Sequence, residues 1–503
     1  MLPGSPASPA PPPPPSPLLT RLRERAAISA RAEALATALL RGRRSLDGAP
    51  VAFLVPPGAT HVDVLLGVLA AGGLAVPLSP LHTQPELAYI VGHAEPALLL
   101  ASTELMARAS AAAPGRRVVA VEHPLGPQDP VSPPQGGGDP GADPPAIMLY
   151  TSGTTGRPKG VVLGHAAVAA TLASLESAWR WRADDHLLHV LPLHHTHGLI
   201  VALLGALWAG AAVTFAPFDA ESIWDQLGQV TVFMAVPTMY AKLMAAYRAA
   251  PPPRQAAWSA GARRLRLFTS GSAALPASLL RAFAEATGQT ILERYGMTEI
   301  GMALSNRYDG VRVPGAVGLP LPGVAVDIVG DDERPAPDGQ PGELRVRTPQ
   351  LFARYHGDAP ATAASFDVQG RFRTGDTGVR DPADGVIRLL GRTSVDVLKS
   401  GGYKISALEI EAALRDHPAI ADLAVIGVPD PTLTWGDLVT ACVVPHPGAT
   451  LTLDELQAFA RDRLAIYKLP RALRLLDALP RNAMGKVQKQ LLMTATPGND
   501  DLR

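Results

Sequence analysis

Cysteine is almost absent: Cys442 is the only one in 503 residues. That excludes an internal disulfide and any multi-cysteine metal or cluster site, and it is compatible with a reducing compartment. Charge of one sign is also lacking. Lys+Arg and Asp+Glu each number 45, so no basic excess exists to grip nucleic acid or an anionic membrane. Any anion must therefore be bound by a local site. No uninterrupted apolar run of about eighteen residues occurs, which argues against a transmembrane helix. Residues 1–17 have neither the basic start nor the apolar core of a secretory signal. No internal repeat is visible.

What is present is core material: 47% of residues are hydrophobic and 18% charged, in a chain long enough for two or more domains. Residues 1–17 are mostly proline, alanine and serine, and are expected to form a disordered, partly polyproline II arm. Arg21 to Arg44 is arginine-rich, opposed only by Glu24 and Glu33. This superficially suggests a mitochondrial presequence; an amphipathic helix over Ile28 to Leu40 is the preferred reading. Val51 to Val55 reads as a buried strand, His61 to Ala71 as a helix ending at Gly72-Gly73, and Leu74 to Pro77 as another strand. Such alternation predicts parallel α/β units. A second unit covers Glu86 to Leu100, and Pro124 to Pro145 is a Pro/Gly/Asp linker. The series continues with Leu187 to Pro192, the apolar helix Leu199 to Ala209, Val213 to Ala216, Val232 to Val236, Arg264 to Thr269 and Thr290 to Leu292. After Gly315, short runs at Val324 to Val329, Gly342 to Arg347 and Gly385 to Leu390 suggest a small β-rich subdomain. A further small α/β unit begins near Thr393, with helices at Ser406 to Asp416 and Leu453 to Leu464 and strands at Leu423 to Val428 and Val439 to Val444. The domain boundary is placed between Arg392 and Asp396.

Between two β-rich runs lies Thr151-Ser152-Gly153-Thr154-Thr155-Gly156-Arg157-Pro158-Lys159-Gly160. Glycines let backbone N–H groups approach an anion, while hydroxyls and a lysine add donors and charge, so the segment suits a polyphosphate. The spacing is not Walker A, because Gly153 and Gly156 are too close and Lys159 is followed by Gly160. A flexible Gly/Thr hairpin turn is the plainer alternative. Further along, Tyr295-Gly296-Met297-Thr298-Glu299 follows the Thr290 to Leu292 strand. Thr298 is placed to bond a phosphate oxygen and Glu299 to face Mg2+, although a buried polar turn would explain the same residues. Gly271-Ser272-Ala273-Ala274 precedes Leu275-Pro276; read locally, Ser272 is as good a helix N-cap. Asp376, in Thr374-Gly375-Asp376, has the chemistry to accept from both ribose hydroxyls, and Arg392 closes Leu389-Leu390-Gly391-Arg392. A turn aspartate and a surface arginine are the ordinary readings of those two. His194, His195 and His197 are metal-capable by type, yet no fourth ligand is placed beside them.

Taken in order, these motifs resemble those of the adenylate-forming enzymes: acyl-CoA synthetases, peptide-synthetase adenylation domains and luciferases. The segment from Ile28 to Leu35 likewise resembles that fold's first helix. The resemblance implies an α/β fold. It has a large N-terminal domain of α/β subdomains plus a small β-rich subdomain (18–392) and a small mobile α+β C-terminal domain (393–503). It implies ATP, Mg2+ and coenzyme A as cofactor and co-substrates. Thr151 to Lys159 would hold the β- and γ-phosphates. Gly271, Ser272 and Ala273 would line the adenine side, with Gly296, Met297 and a stacked Tyr295. Asp376 and Arg392 would hold the ribose, and Glu299 the metal. Gly391 to Ile405 would form the hinge and thioester-forming segment, in which Ser400, Gly401 and Gly402 would face the coenzyme A and the glycines admit a pantetheine arm. Lys486, in Pro480-Arg481-Asn482-Ala483-Met484-Gly485-Lys486, matches the catalytic lysine. Such a lysine arrives late and stabilises charge on the α-phosphate and leaving pyrophosphate. His195 sits at the usual family histidine, counted with Thr298 and Glu299 among the catalytic set, and His197 would face the acid. Family members usually carry an additional β-hairpin before the first helix; here the proline arm leads almost directly into that helix.

The residue that discriminates the acid is Arg294, directly before Tyr295. A guanidinium in the acyl tunnel should meet an anion, and Arg binds carboxylates in a bidentate fork. The surrounding chain resembles malonyl-CoA synthetases, and from Leu187 to Gly323 the mitochondrial members of that group in particular. Malonate is the expected acid and methylmalonate a further candidate, with Arg157, His195, His197 and Met234 helping to line its site. The alternative for Arg294 is an ion pair with Glu293 or Glu299. Four alternatives then remain: a short- or medium-chain fatty acyl-CoA synthetase, a stand-alone adenylation enzyme loading a carrier protein, a non-catalytic nucleotide sensor and, weakest, a phosphate-releasing P-loop hydrolase. A cytoplasmic location is expected, with the mitochondrial matrix as the alternative. No nucleic-acid partner is expected.

Overall fold

The computed structural model describes residues 16–25, 27–122, 143–151, 158–392, 396–400, 403–429, 437–481, 485 and 487–494. Alternating apolar strands and helices fold into two seven-stranded sheets. In the first, Leu74–Pro77, Pro50–Leu54, Leu98–Ala101 and Val118–Ala120 run parallel. Pro145–Thr151 joins parallel to Leu74–Pro77, then Lys159–Gly164 and Arg354–Tyr355 add antiparallel edges. In the second, Ala212–Phe215, His186–His189, Val232–Ala235, Leu267–Ser270 and Leu292–Met297 are parallel. Gly301–Ser305 and Leu319–Pro320 close that sheet antiparallel. Most of these strands are apolar on both faces, as expected where helices cover a parallel sheet on either side.

A four-stranded antiparallel sheet follows, from Ala325–Val329, Gly342–Arg347, Phe372–Arg380 and Ile387–Arg392. Beyond it come the hairpin Val397–Ser400/Tyr403–Ser406, the helix Ala407–Leu414 and a three-stranded sheet. That sheet pairs Ile420–Pro429 antiparallel and Ala472–Leu475 parallel with Asp437–Pro445. This part has its own apolar cluster around Ile405, Ile410, Val425 and Val443. Its link to the four-stranded sheet is polar and buried. Asp396 Oδ2 accepts from the backbone N–H of Arg392 at 3.0 Å. Lys489, on the last helix, reaches Asp396 at 2.5 Å and Glu411 at 2.6 Å.

Several elements differ from the sequence reading. Pro17, counted with the proline arm, is the first residue of a helix, Pro17–Glu24, capped by the Ser16 hydroxyl. Its Leu18 and Leu22 are fully buried, Arg21 pairs with Glu176 at 3.0 Å, and Ser16 Oγ lies 2.9 Å from His165 Nδ1. This helix packs against His165–Trp179. The strand expected at Thr290 to Leu292 runs from Leu292 to Met297, because the charged Glu293 and Arg294 break an apolar pattern that pairing nevertheless continues. The helix expected at Leu199 to Ala209 starts at His197 and is wound as a π-helix through Leu204, then as an α-helix over Gly205–Ala209. Such widened turns recur near functional sites. Helix Ala277–Thr287 starts after Pro276, so Ser272 does not cap it. The linker at residues 123–142 falls outside the described residues.

The N-terminal helix makes a direct prediction. Truncating a fully buried leucine costs about 2–5 kcal/mol, so Leu22→Ala should lower the thermal midpoint, measured by calorimetry. An unchanged midpoint would show that this helix is not part of the cooperative core.

Candidate functional site

Strand Leu292–Met297 sends neighbouring side chains to opposite faces, because strand side chains alternate. Tyr295 joins the cluster that includes Leu304, Val346 and Ile387. Its hydroxyl donates to Asp376 Oδ2 at 2.6 Å. Asp376 is the cross-strand partner of Arg392, whose Nε meets Asp376 Oδ1 at 2.9 Å. The three residues are thus one hydrogen-bonded unit.

The register against Gly301–Ser305 shifts by one residue between Tyr295 and Gly296, and the pairing then continues to Met297, directly before Thr298 and Glu299. Thr298 accepts a hydrogen bond from the Thr196 hydroxyl at 2.9 Å. Glu299 is buried, and burial raises its carboxyl above the ordinary range. Its Oε1 accepts from the Tyr355 hydroxyl at 3.0 Å. The Lys159 ammonium lies 4.7 Å over the Tyr355 ring and 3.9 Å from Asp358. Tyr355 therefore joins the base of the Thr151-to-Lys159 segment to the acidic end of the Tyr295 motif. No local signal marks Tyr355 or Thr196: Tyr355 reaches the site only because Arg354–Tyr355 pairs with Lys159–Gly164. A buried carboxylate held by one hydroxyl fits Mg2+, which commonly takes one or two carboxylates beside phosphate oxygens. No group of three or more His, Cys, Asp or Glu suited to a metal exists among the described residues.

Arg294 points the other way, toward the face of Leu292, whose cluster includes Met234, Leu191 and Val201. It is 5% exposed, and its Nε and Nη2 are buried with no hydrogen-bond partner among the described residues. Burial lowers it to about 10, so it remains a cation at neutral pH. The expected alternative of a pair with Glu293 or Glu299 is not found among the described residues. Glu293 instead accepts from the backbone N–H groups of Leu275 and Gly315, at 3.3 and 3.2 Å, and burial pushes it up to about 7. Room for the guanidinium comes from Gly271, where a Cβ would stand 2.4 Å from Arg294 Cζ. The next residue, Ser272, has φ +70°, a conformation rare outside glycine that often marks functional loops.

His197 is buried nearby, and both its ring nitrogens lack partners among the described residues. Burial, then the charge of Arg294, holds it well below the ordinary histidine range. A neutral imidazole offers one donor and one acceptor. His195 packs against His194 with the rings tilted by 48° and their centroids 3.9 Å apart, and burial lowers it to about 4. Met234 is fully buried on Val232–Ala235. These groups gather beyond the carboxyl ends of the parallel strands, where open α/β sheets bind ligands. Ser152, Gly153, Thr154, Thr155, Gly156, Arg157, Gly401, Gly402 and Lys486 lie outside the described residues. Ser400 is buried at the end of its strand, its hydroxyl without a partner among the described residues.

The two wound sheets, the antiparallel third sheet and the small C-terminal unit form the fold of adenylate-forming enzymes. The AMP-binding enzyme family model matches residues 26–356, and that for the AMP-binding enzyme C-terminal domain matches 409–486. The chain belongs to the AMP-binding enzyme family. It is 42% identical over 481 residues to the mitochondrial malonate–CoA ligase of Mus musculus, covering 88% of this chain and 81% of that protein. ATP-bound MatB from Rhodopseudomonas palustris superposes with a TM-score of 0.80 at 37% identity, covering 92% of this chain and 91% of MatB. A malonyl-CoA ligase product complex with methylmalonyl-CoA and AMP gives a TM-score of 0.63 at 40% identity, covering 90% and 93% of the two chains. No helix among the described residues is long and apolar enough to cross a membrane.

An unpaired buried cation destabilises the protein that contains it. Without ligands, Arg294→Met should therefore be more stable than the parent by about 1–3 kcal/mol, read as a rise in thermal midpoint. A fall would show that the guanidinium is already neutralised inside the folded chain.

Proposed function

We propose that this chain is an ATP-dependent malonate–CoA ligase that forms malonyl-CoA, AMP and pyrophosphate through malonyl-adenylate. The observation that carries the acid assignment is the buried guanidinium of Arg294, unpaired among the described residues and beside a neutral His197. An acid with a second carboxylate supplies the missing anion, and the names of the mouse relative and of the product complex agree with it. One carboxylate of malonate binds Arg294 and His197, with Met234, Arg157 and His195 bounding the site. The other attacks the α-phosphorus: an oxygen–phosphorus bond forms, the α–β bridge breaks, and pyrophosphate leaves with the electron pair.

Thr151, Ser152, Gly153, Thr154, Thr155, Gly156 and Lys159 hold the β- and γ-phosphates. Thr298 and Lys486 serve the α-phosphate, and Glu299 holds the Mg2+, which shields the charge of the polyphosphate. Gly271, Ser272, Ala273, Tyr295, Gly296 and Met297 bound the adenine; Asp376 and Arg392 take the ribose hydroxyls. The CoA thiol, brought along Ser400, Gly401 and Gly402, then attacks the acyl carbonyl, loses its proton and displaces AMP. We place the division into large and small domains between Arg392 and Asp396. A fatty acyl-CoA synthetase is less well supported, since it leaves Arg294 without a counter-ion. Methylmalonate is included as a second substrate, because one methyl group is worth only ~1–3 kcal/mol in a pocket.

The arginine-rich residues 21–44 contribute buried side chains to the folded body, such as Leu22 and Leu39, which supports a helix over a removable presequence. We propose a cytoplasmic location; fractionation of cells expressing the chain separates this from a mitochondrial one, the location in the mouse relative's name.

The deciding assay is pyrophosphate and AMP release with CoA and malonate, beside methylmalonate, acetate, butyrate and octanoate. Malonate should be strongly preferred; preference for octanoate or butyrate would overturn the acid assignment. Arg294→Ala should cost about 10- to 100-fold in kcat/KM for malonate, the loss of hydrogen bonds to a charged group, while keeping some turnover of monocarboxylates. Unchanged malonate kinetics would refute its role. Lys486→Ala should abolish adenylation yet spare thioester formation from supplied malonyl-adenylate; equal loss in both steps would remove Lys486 from the first one.

A further inference from the structure

Thr196 and Thr298 stand beyond two strands of the second sheet, His186–His189 and Leu292–Met297, and are 102 residues apart in the chain. Their hydroxyls meet at 2.9 Å. The main chain on either side is held without that contact. Around Thr196, the His195 carbonyl accepts from the Leu199 N–H at 2.9 Å, and His189 Nε2 meets the Gly198 carbonyl at 2.9 Å. Gly198 has no room for a Cβ against the Pro192 carbonyl, so this turn is closely packed. Beyond Thr298, the Glu299 carbonyl accepts from the Phe352 N–H at 2.8 Å, and the Met302 N–H donates to Gln350 Oε1 at 3.0 Å. What the backbone leaves open is the direction of each hydroxyl hydrogen, which rotates to suit its acceptor.

A hydroxyl has one hydrogen to give and two lone pairs to offer, whereas ionised phosphate oxygens only accept. A Thr298 that serves the α-phosphate gives its one hydrogen there, so its contact with Thr196 requires Thr196 to be the donor, as it is in the structure. Thr196 is buried and Thr298 half-buried, so donation runs from the interior toward the open side. A hydroxyl that accepts one hydrogen bond donates a stronger one, because each bond polarises the next. We propose that Thr196 is a positioning residue for adenylation, orienting the Thr298 hydroxyl so that its hydrogen is presented to the α-phosphate. This rests on the reading of Thr298 as an α-phosphate ligand. Charge builds on the phosphate oxygens as pyrophosphate leaves, so the relay matters most in the transition state and falls on kcat. Its neighbours His195 and His197 belong to the proposed acid site, where a lost contact falls on the KM for malonate.

Thr196→Val keeps the shape of the side chain and removes the hydroxyl. In malonate-dependent ATP–pyrophosphate exchange it should lower kcat about fivefold, the worth of one neutral hydrogen bond, with the KM for malonate unmoved. Thr196→Ser, which keeps the hydroxyl, should recover most of the rate. In a Thr298→Val background no hydroxyl remains to orient, and Thr196→Val should cost nothing further. The same cost in both backgrounds, or a loss confined to the KM for malonate, would overturn the proposal. So would a lowered thermal midpoint with kcat unchanged, the result expected if the two hydroxyls only satisfy each other's burial. Thr298→Val alone separates the two levels. If it lowers kcat while Thr196→Val does not, the relay alone falls; if it leaves kcat unmoved, the α-phosphate reading falls and the relay with it.

Discussion

The alternation of side chains along Leu292–Met297 fixes where everything else in the site must stand. Arg294 faces the apolar cluster that contains Met234, and its neighbour Tyr295 faces Asp376 on the third sheet. A slip of one residue would exchange them, sending the cation toward Asp376 and the phenol into the apolar cluster around Met234. The hairpin partner Gly301–Ser305 guards against that slip: Ser305, opposite Arg294, takes a hydrogen bond from the buried Trp179 indole at 3.0 Å. The two faces are therefore set by one backbone register, and Thr298 and Glu299 follow directly where its pairing ends at Met297.

The same strand carries the molecule's least comfortable group. A guanidinium surrounded by apolar side chains and glycine, with a neutral imidazole as its polar neighbour, works against folding and in favour of recognition. Its field also suppresses protonation of His197, so the pocket presents a single fixed positive charge where two adjacent cations would repel. On the proposed role of Arg294, a monocarboxylate would leave that charge unanswered. Selectivity by unmet demand of this kind rejects the wrong ligand more strongly than a close fit of apolar walls does.

Much of this is legible in the sequence where the chemistry is local. Tyr295, Thr298, Glu299, Asp376 and Arg392 stand out in short motifs, and the structure gives each a side-chain partner: Tyr295 with Asp376 and Arg392, Thr298 with Thr196, Glu299 with Tyr355. Arg294 is recognisable as an anomaly by its place before Tyr295. Its freedom from Glu293 is not, because the two backbone N–H groups that occupy Glu293 come from Leu275 and Gly315, remote in sequence. Tyr355 is invisible for the same reason, since its role depends on a two-residue strand joining the edge of the first sheet. The strand at Leu292 begins and ends later than an apolar run suggests, because charged residues on a buried strand defeat any rule built on such runs. The π-wound turn at His197–Leu204 escapes a sequence reading because an apolar segment looks alike in α and π geometry.

The buried contacts of Lys489 bear on how this protein can be handled. Its ammonium is shared by Asp396, beside the crossover from the third sheet, and Glu411, on the first helix of the small unit. Glu411 in turn accepts from the backbone N–H of Val425 at 2.8 Å, inside the first strand of that unit's three-stranded sheet. The final helix is thus the counter-charge for two interior carboxylates, and trimming the chain before it would leave both facing each other across a dry interior. Shortened versions made for crystallisation, and fusions that strain the last helix, would unsettle the junction on which the small unit sits.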